Sequence, residues 1–239
     1  MSADTMKNAG RTSTAAAGAA SPSLSRASVR KEHGPAHDVL VLTAITLCSG
    51  LLLGLAHEAT QGAIAAQAEQ KRIASGKALF PDAEDFRSVK DWDADSFAQI
   101  LADDGLDNTV VSAVDEAVGP DGSVLGYLVD VTNSEGYGGD IELLAGIETG
   151  SDTLTIGGIS FLAINETAGL GMKATESSFL SQFEGLKANQ DGQITSGKSG
   201  ASGDGVIDAI SGASHTTGAV TKAVNGALKA ASYEQEAQS

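Results

Sequence analysis

Between Asp208 and Thr217 the chain reads Asp-Ala-Ile-Ser-Gly-Ala-Ser-His-Thr-Thr, so that Ser211, Ser214, Thr216 and Thr217 crowd hydroxyl groups around Gly212 and Ala213. The small residues let backbone come close to a ligand, and an amphipathic run follows at once. Amides at a helix N-terminus point toward an anion, and the helix dipole favours negative charge there. This is chemistry suited to a phosphate. The same residue types also cap helices that bind nothing, so taken alone the segment supports either a phosphate cradle or a plain cap. His215, beside these hydroxyls, invites a general-base reading, but no Asp/His/Ser or His/Glu metal constellation accompanies it: His33, His37 and His57 lie around an apolar run far upstream. We assign no catalytic residue and no metal ligand.

The elements that must hold this segment follow from period and composition. Residues 1–38 are rich in Ala, Ser, Thr, Gly and Pro without apolar periodicity, a composition that cannot offset chain entropy and predicts a disordered arm. From Val39 to Ala56 there is no charge, and 18 residues as a helix span about 27 Å, enough to cross a bilayer. A buried core helix or a cleaved signal peptide would share part of this pattern, but a signal sequence has a shorter apolar region and no long basic arm. We place a transmembrane helix at 39–57 in contact with membrane lipid. Arg26, Arg30 and Lys31 precede it closely and no Lys or Arg follows until Lys71, so the positive-inside bias puts the N-terminus in the cytoplasm and the rest outside.

Residues 58–80 are Ala-rich and free of Pro until Pro81, which predicts a helical stalk. Residues 81–239 form the folded domain. Its first part, Asp82 to Asp107, is acidic, with Trp92 and Phe97 as docking points. Val110–Val118 and Val124–Val131 are β-rich and flank Gly119-Pro120-Asp121-Gly122, a hairpin pattern. Ile141–Ile147 and Leu154–Ile164 repeat it around Gly150-Ser151-Asp152. A short helix is expected around Ser177–Phe183 and a terminal one from about Thr217 to Ala231, with Val220, Val224, Ala227, Leu228 and Ala231 on one face. Strands first and helices later give an α+β domain with an antiparallel sheet. The Gly-rich run from Gly197 to Gly205 has little to pack and reads as a mobile loop.

Charge and cysteine content bound the function. The net charge is −16, and the arm carries +2 of it in the opposite sense, leaving the rest at −18. Such a surface offers no basic patch, so nucleic acid is excluded as a partner. The single cysteine, Cys48, lies in the apolar run, so the domain has no internal disulfide, thiolate cluster or haem attachment pair. Redox chemistry here requires a bound cofactor.

Asp208-Ala-Ile-Ser-Gly-Ala-Ser214 resembles the Asp-x-x-Ser/Thr-Gly-Ala-Thr/Ser motif of FMN-binding domains, in which the last hydroxyl forms a phosphoester with FMN. Glu166-Thr167-Ala168-Gly169-Leu170-Gly171, followed by Phe179-Leu-Ser-Gln-Phe-Glu-Gly185, resembles the Glu-Thr-Pro-Gly-Leu-Gly segment of the G subunit of Rnf complexes and of its NqrC relative. Gly136-Tyr137-Gly138-Gly139-Asp140-Ile141 is a third match. The order of anchor, stalk and three motifs is similar to that of the Rnf G subunit over about 200 residues. Ala168 stands where the family has Pro, and Ser214 where it more often has Thr.

The resemblance implies covalent FMN on Ser214, attached by a flavin transferase during maturation, and partnership with the other subunits of a membrane redox complex of Rnf type. It implies that Gly138, Gly139, Gly169 and Gly171 admit backbone amides to the flavin ring and that Glu166, Thr167 and Leu170 contact the cofactor. Ser211 then holds the turn, and Thr216 and Thr217 cap the following helix. Lys173 either faces the cofactor or is a surface lysine. Tyr137 reads as a core or turn aromatic rather than an electron relay. Two other readings of the whole chain stay open at this level: a free-standing anchored FMN carrier that feeds an external reductase, and a tethered structural domain without flavin.

Overall fold

The structure, a computed structural model, describes residues 34–90, 92–150, 154–198, 200 and 203–237. The expected disordered arm, apart from its last residues, lies outside them, as do Ser151 and Asp152 of one expected turn and Ser199, Ala201 and Ser202 of the expected mobile loop.

The described residues up to Ala56 and those from His57 on form separate units. Helix α1, Pro35–Leu79, begins in the first and ends in the second. It starts four residues before Val39, because Pro35 is tolerated at the first turn and Ala36 to Asp38 contain no breaker. Within the first unit its large apolar residues, Val39 to Leu55, are exposed all round, and the helix is long and apolar enough to cross a membrane.

The second unit is built on an antiparallel sheet in the order β1-β2-β3-β4-β5-β6. Strand β1 is Asp85–Ser88, and α2, Ala94–Asp103, follows it, capped by the Asp93 side chain. The long strands β2 (Thr109–Val118), β3 (Val124–Asn133), β4 (Ile141–Glu148) and β5 (Thr155–Ala163) are the four that the sequence predicts, and their joining meander needs only short turns. After β5 come a 3-10 turn at Gly171–Thr175, helix α3 at Ser177–Leu180, a second 3-10 turn at Ser181–Phe183 and β6 at Leu186–Lys187. Strands β7 (Thr195–Gly197) and β8 (Val206–Asp208) pair in parallel, and α4, Ser214–Ala237, ends the chain.

Alternation in β3 shows how the sheet is used. Tyr127, Val129 and Val131 face α4, whose Val220, Val224, Ala227, Leu228 and Ala231 are all buried, as their spacing predicts. Full burial of each large aliphatic is worth about 1.5–3 kcal/mol. Leu128 faces the other way and packs with Phe80, Ala117 and Leu144. The last turn of α1 covers that face, so β1, β6 and the two-stranded sheet are additions to the predicted core rather than replacements.

One expectation needs correction. Helix α4 begins at Ser214, not Thr217, so the hydroxyl motif runs into its first turn instead of preceding it. Phe97 is buried, and Trp92, whose Nε1–H donates to the Val111 carbonyl at 3.1 Å, packs tilted against it at 4.7 Å between ring centres; the two side chains seat the acidic segment on the core.

Candidate functional site

The turn from β8 into α4 is fixed from within. Gly212 has φ of +79°, a left-handed conformation that costs glycine nothing. The Ala213 amide donates to the Ile210 carbonyl at 3.0 Å, and the Thr217 amide donates to the Ala213 carbonyl at 3.0 Å. Ala213 therefore accepts the first helical bond, and the amides of Ser214, His215 and Thr216 fall in the first turn, where a helix supplies no acceptor of its own. Thr217 is not a helix cap. Its Oγ1 accepts from the Ile210 amide and donates to the Ala213 carbonyl, each at 3.0 Å, so this buried hydroxyl locks the turn ahead of the helix.

Opposite the turn lies the segment after β5. The Leu170 and Met172 amides both donate to the Thr167 carbonyl, at 3.1 and 3.2 Å, and Gly169 takes φ of +76° to allow it. Glu166, only 9 % exposed, is the hub: its Oε1 accepts from the Gly138 amide at 3.3 Å. A Cβ on Gly138 would overlap the Asn165 carbonyl, and one on Gly171 would lie 2.6 Å from both Glu166 Oε2 and Thr216 Oγ1. Gly138 and Gly171 are thus needed for close approach of protein to protein, and they bring Glu166 up to both neighbouring segments. Gly139, at φ of +125°, bends the β3–β4 connection instead.

The three segments enclose a pocket of about 380 Å³ lined by Tyr137, Glu166, Thr167, Leu170, Gly171, Gly212, Ala213, Ser214, His215 and Thr216. Such a volume lies in the range of small-molecule and cofactor sites. Ser214 is exposed at its helix N-terminus, whereas Thr216 is 1 % exposed. Tyr137 is 76 % exposed and Leu170 44 %, so Tyr137 is a turn residue at the pocket and not a core aromatic. Asp208 and Ser211 are elsewhere, with Lys173 and Gln182, in an open groove of about 180 Å³. There the Asp208 Oδ1 accepts from the Gly200 amide at 2.8 Å and its own amide donates to Gln182 Oε1 at 2.6 Å. The register of the motif explains the split: Ser211 precedes the left-handed Gly212 and Ser214 follows it, and the chain reverses between them.

One contributor carries no motif. Glu135, at the start of the β3–β4 connection, accepts from Lys222 Nζ on α4 at 2.7 Å through both oxygens and from Asn108 Nδ2 at 2.8 Å. Lys222 first, then Asn108 and the nearby His215, hold the Glu135 carboxyl below the usual range. The pair ties the Tyr137 segment to α4, and only the acid-to-base contact in space identifies it. Among the described residues no group of three or more His, Cys, Asp or Glu is arranged to hold a metal ion. What the pocket offers is an exposed primary hydroxyl, a helix N-terminus for an anion, and an aromatic and an aliphatic side chain to flank a planar ring.

Residues 136–229 match the FMN-binding domain family. Over 198 residues the chain is 35 % identical to the G subunit of an ion-translocating oxidoreductase complex of Methanosarcina acetivorans, covering 82 % of this chain and 94 % of the relative. It is 29 % identical to the G subunit of the Na⁺-translocating ferredoxin:NAD⁺ oxidoreductase complex of Acetobacterium woodii, over 78 % and 86 % of the two chains. Among solved structures, NqrC of Shewanella oneidensis is similar at 24 % identity and a TM-score of 0.41, over 48 % of this chain and 54 % of that one. The matched domain contains all three segments that meet at the pocket, and the chain belongs to the family of G subunits of ion-translocating oxidoreductase complexes.

Proposed function

We propose that this chain is the single-pass subunit of an Rnf-type complex that carries one FMN, esterified through its phosphate to Ser214 Oγ, and relays electrons between ferredoxin and NAD on a path coupled to ion translocation. The observation that carries the reading is that the exposed Ser214 hydroxyl opens into the same cavity as the Glu166–Gly171 loop and Tyr137. The residues fit the group. The first turn of α4 faces the anion, Gly212 and Ala213 leave room beside it, and Leu170 and Tyr137 provide apolar surface for the ring. Bound FMN supplies one- or two-electron chemistry that no side chain here possesses.

The chain's own work is to hold and tune. A phosphodiester on Ser214 keeps a negative charge by the helix N-terminus, an arrangement worth about 0.3–1 kcal/mol when exposed. Glu166 is engaged by Gly138 and wedged against Gly171, so it shapes the pocket and sets its local field. Thr167 and the amides around Gly169 border the ring site, where hydrogen bonds shift redox potential. A covalent tether retains the cofactor on the outer side of the membrane, where Arg26, Arg30 and Lys31 in the arm place the domain. Val39–Ala56 acts as anchor, and with no acidic or basic residue in it the anchor provides no ion path; translocation belongs to the assembled subunits.

The test is co-expression with a matching flavin transferase, followed by intact mass and peptide mapping. The expected result is one FMN ester on the peptide containing Ser214, its loss in Ser214→Ala, its retention in Thr216→Ala, and in Thr217→Ala, which loses the hydroxyl that locks the turn, slower loading but still on the Ser214 peptide. An ester mapped to another hydroxyl, or none, overturns the assignment. Protease added to intact cells should remove the domain if it lies outside.

A further inference from the structure

Away from the pocket, on the sheet face covered by α1, two carboxylates compete for one guanidinium. Arg72 of α1 donates to Asp115 Oδ2 through Nη2, and Ser88 Oγ donates to Asp115 Oδ1 at 2.7 Å, so Asp115 is satisfied. Asp130 on β3 is not. Its Oδ2 lies 3.5 Å from Arg72 Nε, and its Oδ1 is buried without a hydrogen-bond partner. The residue is 8 % exposed, and Glu142 on β4 adds further negative charge. A buried carboxylate in that position loses hydration and gains little from a cation already committed elsewhere. A neutral carboxylic acid suits the site better.

We propose that Asp130 is a proton-binding site whose occupancy latches the Lys71–Ser75 turn of α1 onto the sheet. That turn is held at three points: Lys71 Nζ donates to the Leu162 carbonyl at 2.6 Å, Ser75 and Ser160 share a hydroxyl bond of 2.9 Å, and Arg72 spans the two acids. Below it the helix is anchored independently by Gly76 against Leu128 and Phe86 and by Leu79 and Phe80 over Gly146. The turn can therefore lift while the end of the helix stays packed. Lifting hydrates Asp130.

Burial first, with Glu142 and Asp115 adding to it against the pull of Arg72, raises the Asp130 carboxyl from 3.8 to about 6. The latched state then binds a proton that the lifted state releases. Its advantage is fully present below the solvated value and is lost as pH rises through about 6. The charged groups facing Asp130 are Arg72 from α1, Asp115 from β2 and Glu142 from β4; Glu69 acts on Arg72. The site depends on none of the pocket residues, so the latch holds whether or not flavin is attached.

Hydrogen exchange of the full chain in lipid nanodiscs, corrected for intrinsic rates, tests it. Between pH 5 and pH 7.5, protection of the 68–79 peptide should fall about tenfold. Asp130→Asn, a neutral mimic, should keep high protection at both values, and Glu142→Gln should move the midpoint to lower pH. Protection that does not change with pH, a midpoint near the ordinary carboxylate value, or an Asp130→Asn chain that follows the native pH profile overturns the proposal. Should Asp130→Asn misfold, the Glu142→Gln shift decides alone, and an unmoved midpoint counts against the latch.

Discussion

The pocket end of the sheet and the face covered by α1 use the same device, glycine, for opposite ends. On the α1 face, Gly126 lies under the Phe80 ring, which a Cβ would meet at 2.9 Å while also overlapping the Ile147 carbonyl, and Gly146 lies under Leu79 and Phe80. The space is filled by apolar side chains. At the pocket, Gly138 and Gly171 bring backbone up to Glu166 and leave a cavity of about 380 Å³ beside it. Close approach yields a packed contact where the covering residues are large and apolar, and a hollow where most of them are small or polar and tied to their own loops. Charge differs as well. The Glu135 carboxylate at the pocket is half-exposed and fully paired, whereas Asp130 is buried and half-paired.

The largest effect should come from closing the filled side. Gly126→Val puts a side chain against the Ile147 backbone and Phe80, neither of which can move far, and should cost about 3 kcal/mol, the upper end of ordinary overpacking. Chemical denaturation in detergent measures it, and the flavin spectrum of whatever folds should be unchanged.

Thr217→Val comes next. It leaves the Ile210 amide without its acceptor in a buried turn and should lose about 1–3 kcal/mol. Because that turn presents Ser214, the variant should also slow covalent flavin loading, read as in-gel fluorescence against time. Gly171→Val should destabilise by about 1–3 kcal/mol, since it meets Glu166 Oε2, Thr216 Oγ1 and Glu166 Cβ and only the first is a flexible end, and it should shift the flavin midpoint potential and absorption. A variant that lost stability as Gly126→Val does and kept its flavin potential would show that the two regions do not differ in this way.

The smallest effect belongs to Lys222→Met. An ion pair exposed to this degree is worth about 0.2–1 kcal/mol, so thermal stability should hardly change. The Glu135 contribution runs in a defined direction. Its carboxyl is held low by Lys222 and Asn108, so the stabilisation is present above the unfolded value and is lost as pH falls through the folded one. Native protein should lose that increment in acid and the variant should lack it. Comparing their melting temperatures at neutral and acidic pH reads the difference.

Much of this molecule was written locally. The apolar run of α1, the four long strands and the buried stripe of α4 each follow from a period inside one segment, because a helix or strand repeats its buried side at a fixed spacing. The pocket-lining loops were legible for a related reason: each is a contiguous motif whose small and hydroxyl residues must lie side by side to bend the chain. Sequence alone could not assign places within those motifs. It put Ser211 and Ser214 in one cradle and made Thr217 a cap, whereas the left-handed Gly212 sends the serines to different hollows and the Thr217 hydroxyl back into the turn. Asp130 and Glu135 were invisible altogether. Each is a single acid in an ordinary stretch, and its partner is 58 or 87 residues away, Arg72 on another helix and Lys222 on the last. A residue's period tells which face it is on, but only the folded sheet decides which charges share that face, and so which acid is fully paired and which is left with a buried, unpartnered oxygen.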